Sequence, residues 1–171
     1  MIRLALVALL ALAACGPVYR DTGTPIETVE RLDLERYAGR WYEVASFPVS
    51  FQRGCTATTA DYSLRADGTL GVVNTCRRGS PDGPVSQIAG SAEVVGPGHL
   101  RVRLGRIPFP GDYLVLWVAD DYRTAVVGTP RGRAGWVLHR TPQIPEERLT
   151  TARDVLAASG YGVTQLQRTI H

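Results

Sequence analysis

Residues Tyr37 to Phe47 read YAGRWYEVASF. Trp41, Tyr42, Val44 and Phe47 suit the pleated, half-buried surface of a β-strand, so a strand is predicted from Trp41 to Phe47. A glycine and an arginine stand near the indole, and one carboxylate, Glu43, lies within the apolar run. Alternate residues of a strand share a face. With Trp41 turned inward, Glu43, Ala45 and Phe47 follow it, and Arg40 faces out. A carboxylate in an apolar interior has to be paired or wet. Glu43 therefore has two readings: it bonds polar groups of a closed end, or it holds the headgroup of a ligand.

Working outward, the chain repeats this kind of element at intervals of roughly ten residues, the spacing of a sandwich or a closed barrel. Strands are predicted over Thr58–Arg65, Thr69–Cys76, Val85–Val95, His99–Arg106, Asp112–Ala119, Asp121–Thr129 and Gly135–Thr141. Turn residues separate them: Asp67-Gly68, the loop Arg77–Pro84, Gly96–Gly98 and the proline-broken Ile107–Gly111. In HLRVRLGR, Leu100, Val102 and Leu104 alternate with Arg101 and Arg103, so one face is dry. The same phase logic turns Ala60, Tyr62 and Leu64 inward. DYLVLWVA is apolar in both phases, as in a strand covered on both sides; Tyr113, Val115 and Trp117 are taken as its inner set. The period then changes. Leu149, Ala152 and Leu156 recur at helical spacing, Glu146 and Glu147 suit a helix start and Gly160 a helix end. One helix is predicted over Pro145–Ser159, packed outside the sheet, followed by a short strand over Val163–Thr169.

The 171 residues are enough for one domain with its own core. The basic residues are all arginine and are scattered, and the net charge is only +3. A nucleic-acid partner, which needs a basic face or stripe, is not expected. His99, His139 and His171 are far apart and fall in no metal or nucleophile motif. No metal, no cofactor and no catalytic residue are expected.

Met1–Arg3 and the apolar Leu4–Ala14 read as an export leader, too short to span a membrane comfortably. The leader ends in LAAC, which resembles the bacterial lipobox, in which the cysteine is lipidated and becomes the mature N-terminus. The alternative is an ordinary secretory signal with a nearby cysteine. By the same resemblance, Gly16 in place of Asp implies the outer membrane. The expected organisation is a lipoprotein signal over 1–14, a lipidated start at Cys15 with a tether to residue 30, and a folded domain over 31–171. An exported chain sits where disulfides persist, and the Asp67-Gly68 hairpin folds Cys55 toward Cys76. A bridge between them would stabilise by roughly 3 kcal/mol; two buried thiols are the alternative.

Eight strands, one helix and a short strand, in that order, resemble the lipocalin family. Gly39-Arg40-Trp41 is similar to its Gly-x-Trp signature, ADDYRTAVV with Asp121-Tyr122 to its second, and Arg140 at the end of WVLHRTP to its third. The likeness runs from about Arg31 to the C-terminus and is nearest to the bacterial outer-membrane lipocalins, relatives of the apolipoprotein D group. Ala119-Asp120 stands where many members carry threonine. The resemblance implies an all-β, eight-stranded antiparallel up-and-down barrel with one helix outside. It further implies that Trp41 plugs the closed end and that Arg140 packs over its ring.

A barrel of this size can hold one small ligand. The candidate wall is Glu43, Ala45, Phe47, Tyr62, Leu64, Leu100, Val102, Leu104, Tyr113, Val115, Trp117, Trp136 and Leu138. The loops around 47–53, 77–84, 107–111 and 130–135 should form its mouth, with Arg53, Arg77, Arg78, Arg106, Arg131 and Arg133 in or beside them. These arginines would meet anionic headgroups or simply be solvated. The expected function is non-enzymatic storage or transport of a lipid such as palmitate, another fatty acid or a lysophospholipid. The protein would be lipid-anchored to the outer membrane, on the periplasmic face. The alternatives are a pigment, haem or siderophore carrier, a structural lipoprotein whose cup is filled by its own side chains, and, less favoured, an enzyme built on the barrel. Self-association into a homodimer is left open.

Overall fold

The computed structural model describes residues 16–171. The leader and Cys15 lie outside the described residues. Strands β1 (Gly39–Ser46), β2 (Cys55–Leu64), β3 (Leu70–Arg78), β4 (Val85–Gly96), β5 (His99–Leu104), β6 (Gly111–Val118), β7 (Thr124–Gly128) and β8 (Gly135–His139) follow one another as antiparallel neighbours. β1 pairs with both β2 and β8, so the sheet closes into a barrel without an open edge. A four-residue helix, α1 (Leu34–Tyr37), crosses the closed end just before β1, and α2 (Glu146–Ala158) packs outside. The expected last strand is mostly a 3₁₀ turn at Val163–Gln165. Only Gln167–Arg168 forms a strand, β9, which adds to the outside of β1.

Closure divides the apolar residues into two clusters. The inner one holds Trp41, Tyr62, Val72, Leu100, Val115, Val127 and Leu138. The outer one lies between the barrel and α2, where Leu149, Ala152 and Leu156 meet Leu114, Leu116, Val126 and Val137. This is why β6 is apolar in both phases.

Two bulges change which residues belong where. Pairing of β1 with β8 shifts between Glu43 and Ala45, and pairing of β6 with β7 shifts between Val115 and Trp117. One extra residue reverses the in–out alternation beyond it. Ala45 and Phe47, expected inside with Trp41, are therefore in the outer cluster, as is Trp117. Phe47 is sandwiched between Tyr19 and Tyr161, with ring centroids 5.0 and 5.1 Å away.

The segment expected as a tether is laid along the barrel instead. The Tyr19 amide donates to the Gly132 carbonyl at 2.8 Å, Asp21 to Gly160 at 2.9 Å and Val29 to Val115 at 3.0 Å. Arg20 is buried, and its guanidinium donates to the carbonyls of Ser159, Pro130 and Thr24. The strap thus runs from the β7–β8 loop at one end of the barrel to the β4–β5 turn at the other, where Thr28 Oγ1 donates to the Pro97 carbonyl at 2.7 Å.

Candidate functional site

The closed end is built on Trp41, which is fully buried and donates from its indole nitrogen to the Tyr37 carbonyl at 2.7 Å. The Arg140 guanidinium lies 3.7 Å from the ring centroid and donates to the carbonyls of Arg40, Arg36 and Tyr122 at 2.9, 2.6 and 3.1 Å. The entry of β1 requires its glycine: Gly39 has φ +94°, and a Cβ there would sit 3.4 Å from Arg140 Nη1. Tyr122, in the β6–β7 turn, accepts the Asp33 amide on its hydroxyl at 3.0 Å, while Asp121 takes a two-pronged ion pair from Arg148 of α2. That pair and the Arg123 amide hold the Asp121 carboxyl below its ordinary range. The signature residues Gly39, Trp41, Asp121, Tyr122 and Arg140 therefore meet at one end, where they seal and clamp the barrel. Arg40 faces out to an ion pair with Asp61.

Above this plug three tyrosines meet. Tyr113 Oη lies 2.6 Å from that of Tyr37, and the Tyr62 hydroxyl donates to it at 3.1 Å. Burial pushes all three phenols up, Tyr62 to about 12, so they stay neutral and act as hydrogen-bonding groups.

A cavity of about 690 Å³ lies above the tyrosines and reaches the far end of the barrel. Of the residues expected on its wall, Glu43, Tyr62, Val102, Leu104, Tyr113, Trp136 and Leu138 line it. Leu100 and Val115 are fully buried in the inner cluster but do not line the cavity. Leu64, at the end of β2 near the hairpin turn, is exposed, because the barrel has closed below it.

One side of the wall is polar. Thr58, Asn74 and Ser86 look in from β2, β3 and β4 beside Arg78, while Val102, Leu104 and Trp136 face them. Among the described residues, Thr58 Oγ1 is the one buried side-chain polar atom without a hydrogen-bond partner. The Asn74 carboxamide likewise makes no hydrogen bond with a described residue. Sequence reasoning missed both, although Thr58 shares the phase of Ala60 and Tyr62. Their wall is stapled by a Cys55–Cys76 disulfide joining β2 to β3, with Cα atoms 5.4 Å apart.

Glu43 stands between this cavity and a second hollow of about 500 Å³ under the β1–β2 loop. It is buried, and both oxygens are engaged: Gln52 Nε2 donates to one at 2.6 Å and Thr169 Oγ1 to the other at 3.0 Å. Gln52 in turn accepts the Trp136 indole N–H at 3.0 Å. The carboxylate therefore ties the mouth loop to the C-terminal segment through a chain of hydrogen bonds.

The mouth opens among the expected loops, but most of their arginines do not line the cavity. Arg78 is the one expected mouth arginine that lines the main cavity; Arg53 borders the second hollow. The rim is instead set by Phe51, Ile107 and Phe109, all exposed. Among the described residues, no cluster of His, Cys, Asp and Glu is suited to a metal ion.

A family model described as a lipocalin-like domain matches residues 32–171. Over 155 residues the chain is 37% identical to temperature-induced lipocalin-1 of Arabidopsis thaliana, covering 84% of this chain and 82% of that protein. It is 35% identical over 164 residues to the outer membrane lipoprotein Blc of Escherichia coli K12, covering 94% and 90%. Apolipoprotein D of Mus musculus is 31% identical over 151 residues, covering 82% and 77%. Among solved structures, insecticyanin from the tobacco hornworm Manduca sexta shares the fold at a TM-score of 0.69 and 18% identity, covering 91% of this chain and 87% of that one.

Proposed function

The chain belongs to the lipocalin family, and from that premise we propose that it is a non-enzymatic carrier of a lipid in the barrel cavity. A lipid anchor at Cys15 would hold it to the outer membrane on the periplasmic side. The observation that carries this reading is the cavity of about 690 Å³, apolar below and polar on one wall near its mouth. An acyl chain gains by leaving water for such a space. The likeness to Blc, an outer membrane lipoprotein, supports the anchored arrangement. Thr58 and Asn74 are placed for oxygen atoms just below a headgroup, and Arg78 for a charge above them. Those three groups favour a lysophospholipid, with its ester and free hydroxyl, over a simple fatty acid. Glu43, with both oxygens already bonded, serves the wall.

The test uses the domain from Gly16 onward. Solvent extracts of the purified protein should contain lipid by mass spectrometry. Fatty acids and lysophospholipids should quench Trp136 saturably, the latter more tightly. Thr58→Val should narrow the gap between the two classes. A preparation without lipid that shows no saturable quenching by either class would sink the proposal, and a coloured preparation would favour a pigment carrier.

A further inference from the structure

We propose that the open end of the barrel is itself a membrane-docking surface, seated at the headgroup–acyl boundary of an anionic bilayer through Phe51, Ile107 and Phe109. These side chains are 68%, 55% and 79% exposed, and all three border the cavity mouth. Single exposed apolar residues are ordinary, but here three large ones, Phe51 on the β1–β2 loop and Ile107 with Phe109 on the β5–β6 loop, border one opening and continue its apolar lining outward.

Charge points the same way. The loops at this end, 47–54, 79–84, 105–110 and 129–134, carry Arg53, Arg106, Arg131 and Arg133 against one acid, Asp82. The opposite end lacks this excess: Glu27, Glu30, Asp33, Glu35, Asp67, Asp120 and Asp121 stand there against Arg31, Arg36, Arg65, Arg123 and Arg140. Apolar tips below a ring of cations are the arrangement that lies in an interface and favours anionic lipid.

The path of the chain supplies the third observation. Pro17 sits against the β1–β2 loop, and Tyr19 is bonded to Gly132 and Pro48, so the described chain begins beside the mouth. Four residue steps lead from Cys15 to the pinned Tyr19, a reach of about 14 Å. Strand β2 has ten residues; at the usual rise and tilt the barrel is about 25 Å tall. An anchor at Cys15 could not bring the closed end to the bilayer, whereas the mouth is within its reach. This orientation rests on the anchor reading above; the docking face does not. With the mouth seated, an acyl chain would pass between bilayer and cavity without crossing water.

The barrel closes within residues 16–171, so the unanchored domain is the material used. Phe109→Trp is mixed with vesicles of phosphatidylethanolamine and phosphatidylglycerol whose acyl chains are brominated. Its added emission should shift to the blue and be quenched relative to unbrominated vesicles. Val95→Trp, at the far end of β4, should not respond. The combined change Phe51→Ser, Ile107→Ser and Phe109→Ser should weaken vesicle binding at least tenfold while thermal unfolding stays in place. The proposal is overturned by no quenching at position 109, by equal quenching at both positions, or by a dimer that covers this face in the absence of vesicles. The anchor is read separately, as labelled palmitate taken up by the full chain and lost in Cys15→Ser. A chain that takes up no label but docks through position 109 would retire the anchor and leave the surface standing.

Discussion

A single side chain can hold several backbone segments that have no reason of their own to meet, and Arg140 does so at the closed end. Its fork reaches carbonyls on α1, on the start of β1 and in the β6–β7 turn while its plane covers Trp41. Arg140→Ala should cost about 1–3 kcal/mol in urea unfolding, from charge-assisted bonds and the lost ring contact. Arg140→Lys should recover less than half, since a point charge cannot span those carbonyls. His139 makes a second test. Burial, followed by the Arg148 and Arg123 charges, lowers its pKa, and Nδ1 lies 3.0 Å from Thr124 Oγ1. The unfolded imidazole binds a proton near pH 6.5 and the folded one only at lower pH, so stability should fall as pH drops through about 6.5 and level off below the folded pKa. Urea midpoints between pH 5 and 8 should show that slope, and His139→Gln should flatten it. The signature residues were legible because glycine, tryptophan and arginine each do something no other residue does there. Arg20 carried no signal, since its three carbonyl partners lie at scattered positions in the sequence.

At the scale of elements, period-two and period-3.6 patterns placed eight strands and α2 to within a few residues. The β6 bulge was illegible because the sequence on either side is apolar in both phases, and in β1 nothing in Glu43-Val44-Ala45 marks the extra residue. Leu114 through Val118 would read the same with or without an extra residue, and only the partner strand reveals it. The error over Phe47 and Trp117 follows from that alone. The strap was misread because its Gly, Pro and Thr content resembles a linker, while its backbone hydrogen bonds are made to distant loops. Two outcomes belong here. Leu156 is fully buried between α2 and the barrel, so Leu156→Ala should cost about 2–5 kcal/mol. Removing the disulfide as Cys55→Ser with Cys76→Ser should lower stability by about 3 kcal/mol and loosen the polar wall. Hydrogen exchange should rise first in β2 and β3.

For the whole molecule, a closed ring of strands leaves an interior that solvent or ligand must fill. A ligand that fills it and binds only the folded state should add about 2.7 kcal/mol at one hundred times its dissociation constant. For a chain of this length that is a rise of about 5–10 °C in the unfolding midpoint, measured by calorimetry with and without lysophospholipid. The strap has a mechanical counterpart. Traction applied at the start of the chain reaches Tyr19 and Arg20 before any strand. Arg20 passes that load to the end of α2 and the β7–β8 loop through Ser159 and Pro130. Under increasing force the strap should peel off as a discrete first event, with the ring of eight strands still whole, so these few bonds act as a fuse that yields before the container does.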